Sequence, residues 1–319
     1  MGDRGTEIRL VADIGGTNTR IALFDTQTGE FRGLQEFLNR DFAGLGEAIE
    51  AWLATLDETP PDRACIAAAA YQSGDHLRMV NCNWSFSRRQ LQERFGWRSA
   101  GWLNDFEANA HALPWLGAEN SQPLQAGNTA NPGRLAVVGP GTGFGGASLL
   151  QAGGRAVACS AEPGHMGLSP ASDLELAVFE YLLRDHPDIF VELLVSGPGL
   201  CRLHQALCAL EGLPAEPLQP ADISTRALQG SDPSCSRALG LFCSLFGSAC
   251  GDFILASGAW GGLYIAGGIS LKIMDFLQQS EFLPRLRAKG AMGEHLAGVP
   301  VWMITASHPG LIGAAHAPI

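Results

Sequence analysis

Apolar residues along this chain recur with two spacings. Short apolar runs bounded by Gly, Pro or Asn read as strands, and stretches with apolar residues three and four apart read as helices. Leu10 and Val11 lead one run into Asp13, and Ile21 to Phe24 form another, so residues 10–25 predict strand, turn, strand. Leu45, Ile49, Trp52, Leu53 and Leu56 mark one face of a helix over 43–56, which Pro60-Pro61 ends. The small-apolar run Ala64 to Ala70 reads as a buried strand. Asn81 to Trp84 reads as a polar turn, and Ser87 as the N-cap of a helix through Phe95. Ala100 to Leu103 reads as a strand that delivers Asn104-Asp105 to its end, with a helix from Phe106 to Leu113.

The segment Gly117 to Gly133, rich in Asn, Gln, Gly and Pro, predicts a loop near a domain boundary. Leu135 to Val138, the glycine-rich stretch Gly139 to Gly146 and an apolar run to Leu150 make a second strand, turn, strand, which suggests two related halves. Ser172 and Glu175 form a capping box that opens a helix to Arg184. Leu200, Leu203, Leu207 and Leu210 share one side of a helix over Pro198 to Leu210, and Leu213 to Asp222 reads as a Pro-rich loop. Ser234 to Ser257 predicts a long central helix buried on most sides. Leu263 to Ala266 and Val301 to Thr305 read as strands, the first running into Gly267-Gly268, and Pro309 to His316 as a last helix. The alternation predicts mixed sheets covered by helices.

Composition narrows the class. A chain of 319 residues favours two domains, and 46% hydrophobic residues suffice for two cores. A net charge of −11 argues against a nucleic-acid surface, because phosphate backbones are held by basic patches. None of the eight Cys forms a C-x-x-C or C-x-C pair with a nearby His, so no zinc site is expected. No charged segment followed by an apolar run opens the chain, and no span of 18 or more apolar residues is read. These features predict no signal peptide, no membrane partner and a reducing cytoplasm.

The first hairpin carries chemistry. Gly15 and Gly16 can take backbone angles closed to other residues and let backbone N–H groups approach an anion. Thr17, Asn18 and Thr19 offer short donors, Arg20 a positive charge, and Asp13 a strand-end carboxylate able to hold a metal ion through water. This is a phosphate hairpin rather than a P-loop, which needs a Lys after its second Gly and a helix behind it. Asp105 follows a strand and opens a helix; from position alone it reads equally well as a helix N-cap or as a carboxylate projecting into a cleft.

The string Asp13-Ile14-Gly15-Gly16-Thr17-Asn18-Thr19-Arg20 resembles the first phosphate motif of the superfamily of sugar kinases, actin and heat-shock chaperones, in its bacterial glucokinase form. Further stretches match that family in order: Leu103 to Ala108, Gly139 to Gly146, Glu162-Pro163-Gly164-His165, Ser196 to Leu200 and Ile265 to Ile269. The likeness runs from about Leu10 to Gly313. It is to the non-ROK branch, since no cysteines follow His165 as they do in ROK sugar kinases.

The resemblance implies a two-domain α/β actin-like ATPase (ribonuclease H-like) fold with mixed sheets flanked by helices and a cleft between domains. A small domain would span 1–110 and take back the C-terminal helix 306–319; a large one would span 111–305. It implies ATP-dependent phosphorylation of glucose at its C6 hydroxyl, with Mg2+, in a cytoplasmic homodimer. Asp105 becomes the catalytic base, and Asn104, Asp105, Glu162, His165 and Glu192 the sugar site. Ala12, Asp13, Ile14, Gly15, Gly16, Thr17, Asn18, Gly141, Thr142, Gly143, Gly267 and Gly268 become the ATP site, with Asp13 toward the metal.

Two departures bear on the sugar. Pro163 stands where the family usually has Gly, and Tyr71-Gln72 where Gly-Pro or Cys-Pro is more common. They leave open a kinase for mannose, fructose or an amino sugar. A non-catalytic sugar sensor on the same fold is disfavoured by the intact Asp13, Asp105 and glycine turns. The resemblance also implies that sugar binding closes the cleft and excludes water. Small-angle scattering is expected to give a smaller radius of gyration with glucose than without, and an unchanged radius would remove the closure.

Overall fold

The computed structural model describes residues 8–80, 82–128 and 133–319; of residues 71 and 72 it describes the backbone. Asn81 of the expected turn and residues 129–132 of the expected loop therefore lie outside the described residues, as do the side chains of Tyr71 and Gln72. The chain forms two compact units. The first comprises Met1–Trp115, Gly154–Ala158 and Ser307–Ile319, and the second Leu116–Gly153 and Cys159–Ala306.

In the first unit, β1 (Ile8–Ile14), β2 (Asn18–Asp25) and β3 (Glu30–Leu38) form an antiparallel meander. The helix α1 (Leu45–Leu53) leads to β4 (Arg63–Ala68), which pairs parallel to β1. A small antiparallel sheet of β5 (Ala70–Ser73), β6 (His76–Met79) and β7 (Ser85–Ser87) follows. Then come α2 (Arg88–Phe95), β8 (Ser99–Leu103), parallel to β4, and α3 (Asp105–Ala112). The main sheet runs β3-β2-β1-β4-β8.

Two local stops depart from expectation. The helix α1 ends at Leu53 because Thr55 turns its N–H (3.0 Å) and its hydroxyl (2.7 Å) onto the Trp52 carbonyl. The expected strand over 64–70 breaks at Ala69, whose carbonyl accepts from Val80 N–H as the chain enters the small sheet. An all-alanine run carries no mark of that turn. Ser87 does cap α2, accepting from Gln90 N–H.

Strand alternation divides the core of this unit. Leu10, Ala12 and Ile14 join a cluster with Leu45, Ile49 and Trp52 of α1. Val11, one residue out of phase, joins Phe24, Leu311 and Ala314. Trp52 is fully buried, and its indole N–H donates to the Gly33 carbonyl at 2.8 Å.

The second unit opens with β9 (Ser121–Gln125), a strand within the segment expected to be loop. It is polar and holds Pro123, which suits the sheet edge it occupies. The strands β10 (Leu135–Pro140), β11 (Phe144–Ala152) and β12 (Arg155–Ala161) follow. After them come α4 (Asp173–Leu182), α5 (Val191–Leu194), α6 (Gly197–Leu210), α7 (Pro220–Gln229) and α8 (Pro233–Ser257). The strand β13 (Gly262–Ile265) precedes α9 (Gly268–Lys272), α10 (Met274–Gln279), α11 (Phe282–Arg287) and α12 (Gly293–Ala297), and β14 (Val301–Ile304) completes the unit. The chain returns to the first unit as α13 (Pro309–His316).

The second sheet runs β12-β11-β10-β13-β14-β9, with β13 parallel to both β10 and β14. Leaving aside the added edge β9, this is the order of the first sheet, and each begins with an antiparallel glycine hairpin. The two halves suggested by the glycine turns are thus a repeat of topology. The helix α8 is long and apolar enough to cross a membrane by length and composition, but 78% of its apolar window is buried. It is the central core helix, packed with α6, α7 and α11. Ser172 caps α4, yet Glu175 does not close the box. It is 2% exposed and accepts from Ala171 N–H (2.6 Å), Ser244 hydroxyl (3.0 Å) and Arg285 (3.2 Å) instead.

The return helix α13 ends on His316, stacked on Trp115 with ring centres 3.7 Å apart and set edge-on to Phe24 at 4.9 Å. Burial, assisted by Arg9, lowers the His316 pKa to about 4. The unfolded chain therefore binds a proton between pH 6.5 and 4 that the folded chain refuses, and stability falls as pH drops through that window. His316→Gln is expected to remove part of this acid sensitivity, of the order of 3 kcal/mol at most, read from melting temperatures between pH 7 and pH 4. An unaltered pH profile would contradict the assignment.

Candidate active site

The β1–β2 turn is built from within. Gly15 N–H donates to Asn18 carbonyl at 2.9 Å. Buried Asn39 then braces the loop: its amide donates to Gly15 carbonyl (2.9 Å), its N–H to Thr17 carbonyl (2.8 Å), and its Oδ1 accepts the Thr19 hydroxyl (2.8 Å). Neither Gly15 nor Gly16 has a positive φ, so the expected unusual backbone angle is not what places glycine there. Thr19 is wholly buried and Asn18 donates to Glu36, so the expected row of donors reduces to an exposed tip at Thr17. Arg20 is also held by Glu36, at 3.1 Å. Asn39 and Glu36 were not expected. They lie in and beside β3, and only the strand pairing reveals their reach.

Asp13 lies opposite Arg20 in the hairpin and shares with Val11 the face of β1 turned toward α13. A methyl group at Gly310, in the first turn of α13, would sit 2.9 Å from the Asp13 carboxyl group. Burial raises the Asp13 pKa to about 6; Arg20 opposes the shift and the charge of Asp105 adds to it. The two carboxylates are therefore electrostatic neighbours. Three residues past Gly310, Gly313 crosses α3 so closely that any side chain there would fall on the Ala108 carbonyl oxygen. One helix thus bears on both acids, touching Asp13 directly and holding the helix that Asp105 begins.

The cap question at α3 has a clear answer. Asn104, not Asp105, is the N-cap: its Oδ1 accepts from Phe106 N–H at 2.9 Å, and Glu107 accepts from Asn104 N–H at 2.8 Å. Asp105 occupies the first helical position, half-buried, where the helix dipole favours a carboxylate. The amide nitrogen of Asn104 is its remaining group for a ligand.

The second unit gathers the other residues. Glu192, in α5, accepts from Phe144 N–H at 2.7 Å, and a side chain at Gly143 would run into its carboxylate. Gly141 N–H donates to Gly143 carbonyl, and Gly141 carbonyl accepts from Gly197 N–H at the start of α6, each at 2.8 Å. Exposed Glu162 precedes a single helical turn, Pro163–His165, in which His165 stacks on Phe190 with centres 5.6 Å apart. Gly164 lies against Glu192 as well. Thr142 is exposed at the tip of the β10–β11 turn. Gly267 has φ +96°, and a methyl there would meet the Pro140 carbonyl at 2.7 Å, so the Gly267-Gly268 start of α9 stands beside the same turn. Glu162, His165, Glu192, Gly141 to Gly143 and Gly267-Gly268 therefore belong to one unit, and Ala12 to Asn18, Asn104 and Asp105 to the other.

Comparison with known proteins decides the family. The glucokinase family model matches residues 10–318. The chain belongs to the glucokinase family. It is 38% identical to a glucokinase of Nitrobacter hamburgensis, over all of this chain and 99% of that one. It is likewise 38% identical to a glucokinase of Saccharophagus degradans over 96% of each. Among solved structures, a glucokinase from an Antarctic psychrotroph superposes with a TM-score of 0.90 at 37% identity, covering 98% of both chains. A ROK family glucokinase from Streptomyces griseus, solved with glucose and AMPPNP, shares the fold at a TM-score of 0.61 and 22% identity. The architecture is the actin-like ATPase fold of the glucokinases.

The glucokinase motifs include neither Gly310 nor Gly313 as read above, yet both bear on the acids. Gly310→Ala is expected to cost about 1–3 kcal/mol through overpacking, read as a lower melting temperature. Most of that cost should vanish in the Asp13→Ala background, because the clash partner is gone. Equal costs in both backgrounds would mean that Gly310 does not shape the Asp13 site.

Proposed function

We propose that this chain is a glucokinase that transfers the terminal phosphoryl group of ATP to the C6 hydroxyl of glucose, yielding glucose 6-phosphate for glycolysis. The observation that carries the reading is the pair of neighbouring carboxylates, Asp13 and Asp105, set in different surroundings in a chain of the glucokinase family. Phosphoryl transfer to an alcohol needs the phosphate held in line, its charge offset and the hydroxyl relieved of a proton.

Asp105, half-buried at the first position of α3, is assigned as the base that accepts that proton. Asn104, Glu162, His165 and Glu192 are assigned to the sugar hydroxyls, Glu192 through the oxygen that Phe144 does not engage. Ala12 to Asn18, Gly141 to Gly143 and Gly267-Gly268 are assigned to ATP, as glycine backbones that let phosphates and nucleoside lie close. Use of ATP is supported by the AMPPNP complex of the Streptomyces griseus relative. Asp13 would hold Mg2+, a hard cation that takes oxygen ligands and would offset phosphate charge. The fit rests on a carboxylate whose ionised form lacks enough counter-charge from Arg20 alone. The same reading places the enzyme in the cytoplasm as a homodimer.

A related hexose is the second reading, and Pro163 supports it. Pro163 is buried against Gly146 and denies the sugar loop one N–H. A coupled assay across glucose, mannose, fructose and glucosamine with ATP separates the two. Asp105→Asn is expected to lower kcat by about 10²–10⁴-fold while calorimetry still shows glucose binding. Loss of turnover and binding together would make Asp105 structural and overturn its role.

A further inference from the structure

Away from the residues assigned above, the second unit brings together a set of side chains that the reaction does not use. His204 and Cys208 lie one turn apart on α6, and Asp232 and Cys235 stand at the N-cap and third residue of α8. Ligand atoms of His204, Asp232 and Cys235 all lie within 4.8 Å of one another. Cys208 Sγ is 3.6 Å from His204 Nε2. His204, Cys208 and Cys235 are buried, at 3%, 2% and 0% exposure. Asp232 keeps 27% of its side chain open to solvent and forms the way in.

We infer that His204, Asp232 and Cys235 form a three-ligand site for a thiophilic divalent cation, with zinc as the natural occupant and water completing its tetrahedron on the side that Asp232 leaves open. The geometry supports it. Zinc bonds of about 2.0 Å to nitrogen and 2.3 Å to sulfur, at a tetrahedral angle, place two such ligands about 3.6 Å apart. The ligand atoms of His204, Asp232 and Cys235, all within 4.8 Å of one another, reach that separation with small side-chain shifts, while Cys208 Sγ contacts the His204 ring from beside the group. The Asp-x2-Cys spacing at the start of α8 aims two of the ligands at one point. A scan for paired cysteines passes over them, which is why no zinc site was expected from the sequence.

Charge supports it too. One thiolate, one carboxylate and a divalent cation sum to zero, so the bound site carries no net charge into the core. The Arg226 guanidinium, 3.7 Å from Asp232 Oδ2 and paired with Glu216 at 2.9 Å, keeps the carboxylate ionised for the ion. Asp232 Oδ1 is engaged by Ser234 and Cys235 N–H groups, so Oδ2 is the ligand oxygen. Binding would displace the Cys235 thiol proton into solvent and tie α6 to the start of α8.

The test uses the full chain prepared without a metal-affinity tag. Mass spectrometry is expected to find one zinc per chain. Cobalt substitution should give a thiolate charge-transfer band with the intense visible bands of tetrahedral Co2+. Cys235→Ser should weaken zinc by about 100-fold or more in competition with a chelating dye. Asp232→Asn keeps the cap acceptor, so the helix start survives while zinc weakens at least about tenfold. Cys159→Ser, an exposed thiol elsewhere, should change nothing. An octahedral cobalt spectrum without charge transfer, no zinc uptake against the dye, or thiol counting that finds Cys208 joined to Cys235 would overturn the proposal.

Discussion

The first unit depends on one close approach of two helices. Where Gly313 of α13 crosses Ala108 of α3, no side chain can intervene, and the helices meet backbone to backbone. The same helix brings its first turn against Asp13 at Gly310. A larger residue at either glycine would have to be accommodated by moving a helix whose Leu311 and Ala314 are committed to Val11 and Phe24. Packed interiors do not yield by a methyl group without cost. Asp13 and the helix that begins at Asp105 are therefore both packed against α13, through Gly310 and Gly313.

Electrostatics follow from this packing. A carboxylate brought among apolar groups and near a second carboxylate resists ionisation, and the facing Arg20 offsets only part of the penalty. Arg20 is itself shared with Glu36, which reduces what it can lend. The arrangement stores an affinity for added positive charge. Asn39 has the complementary role of rigidity: one buried asparagine holds three points of the glycine turn at once, two through its side-chain amide and one through its backbone N–H. The second unit uses the same device at Glu192, which ties the glycine turn to the loop of Glu162 and His165.

Much of the molecule was legible in its residues because the signals are local. The caps Ser87 and Ser172, the long apolar run of α8 and the two glycine hairpins are each decided within a few positions. What was missed is equally instructive. The strand β9 is polar and holds a proline, so its pairing with β14 comes from the sheet edge and not from propensity. The break at Ala69 lies in a run of alanines with no turn residue. Glu175 looks like half of a capping box, but an arginine 110 positions away claims it. Asp105 looks like an N-cap, but Asn104 has that role and Asp105 takes the first helical position.

By itself the sequence determined many of the strands and helices, that the chain repeats a glycine hairpin, and which carboxylates stand at strand and helix ends. Those properties rest on short-range sterics and periodicity, which neighbouring residues settle among themselves. Tertiary structure alone decided that the hairpins begin sheets of one shared strand order, that Asp13 and Asp105 are neighbours, that Gly310 and Gly313 let α13 pack against Asp13 and α3, and that Asn39 and Glu36 brace the first hairpin. These are contacts between segments far apart in the chain. Their geometry follows from how whole faces pack, and no local window of residues contains that information.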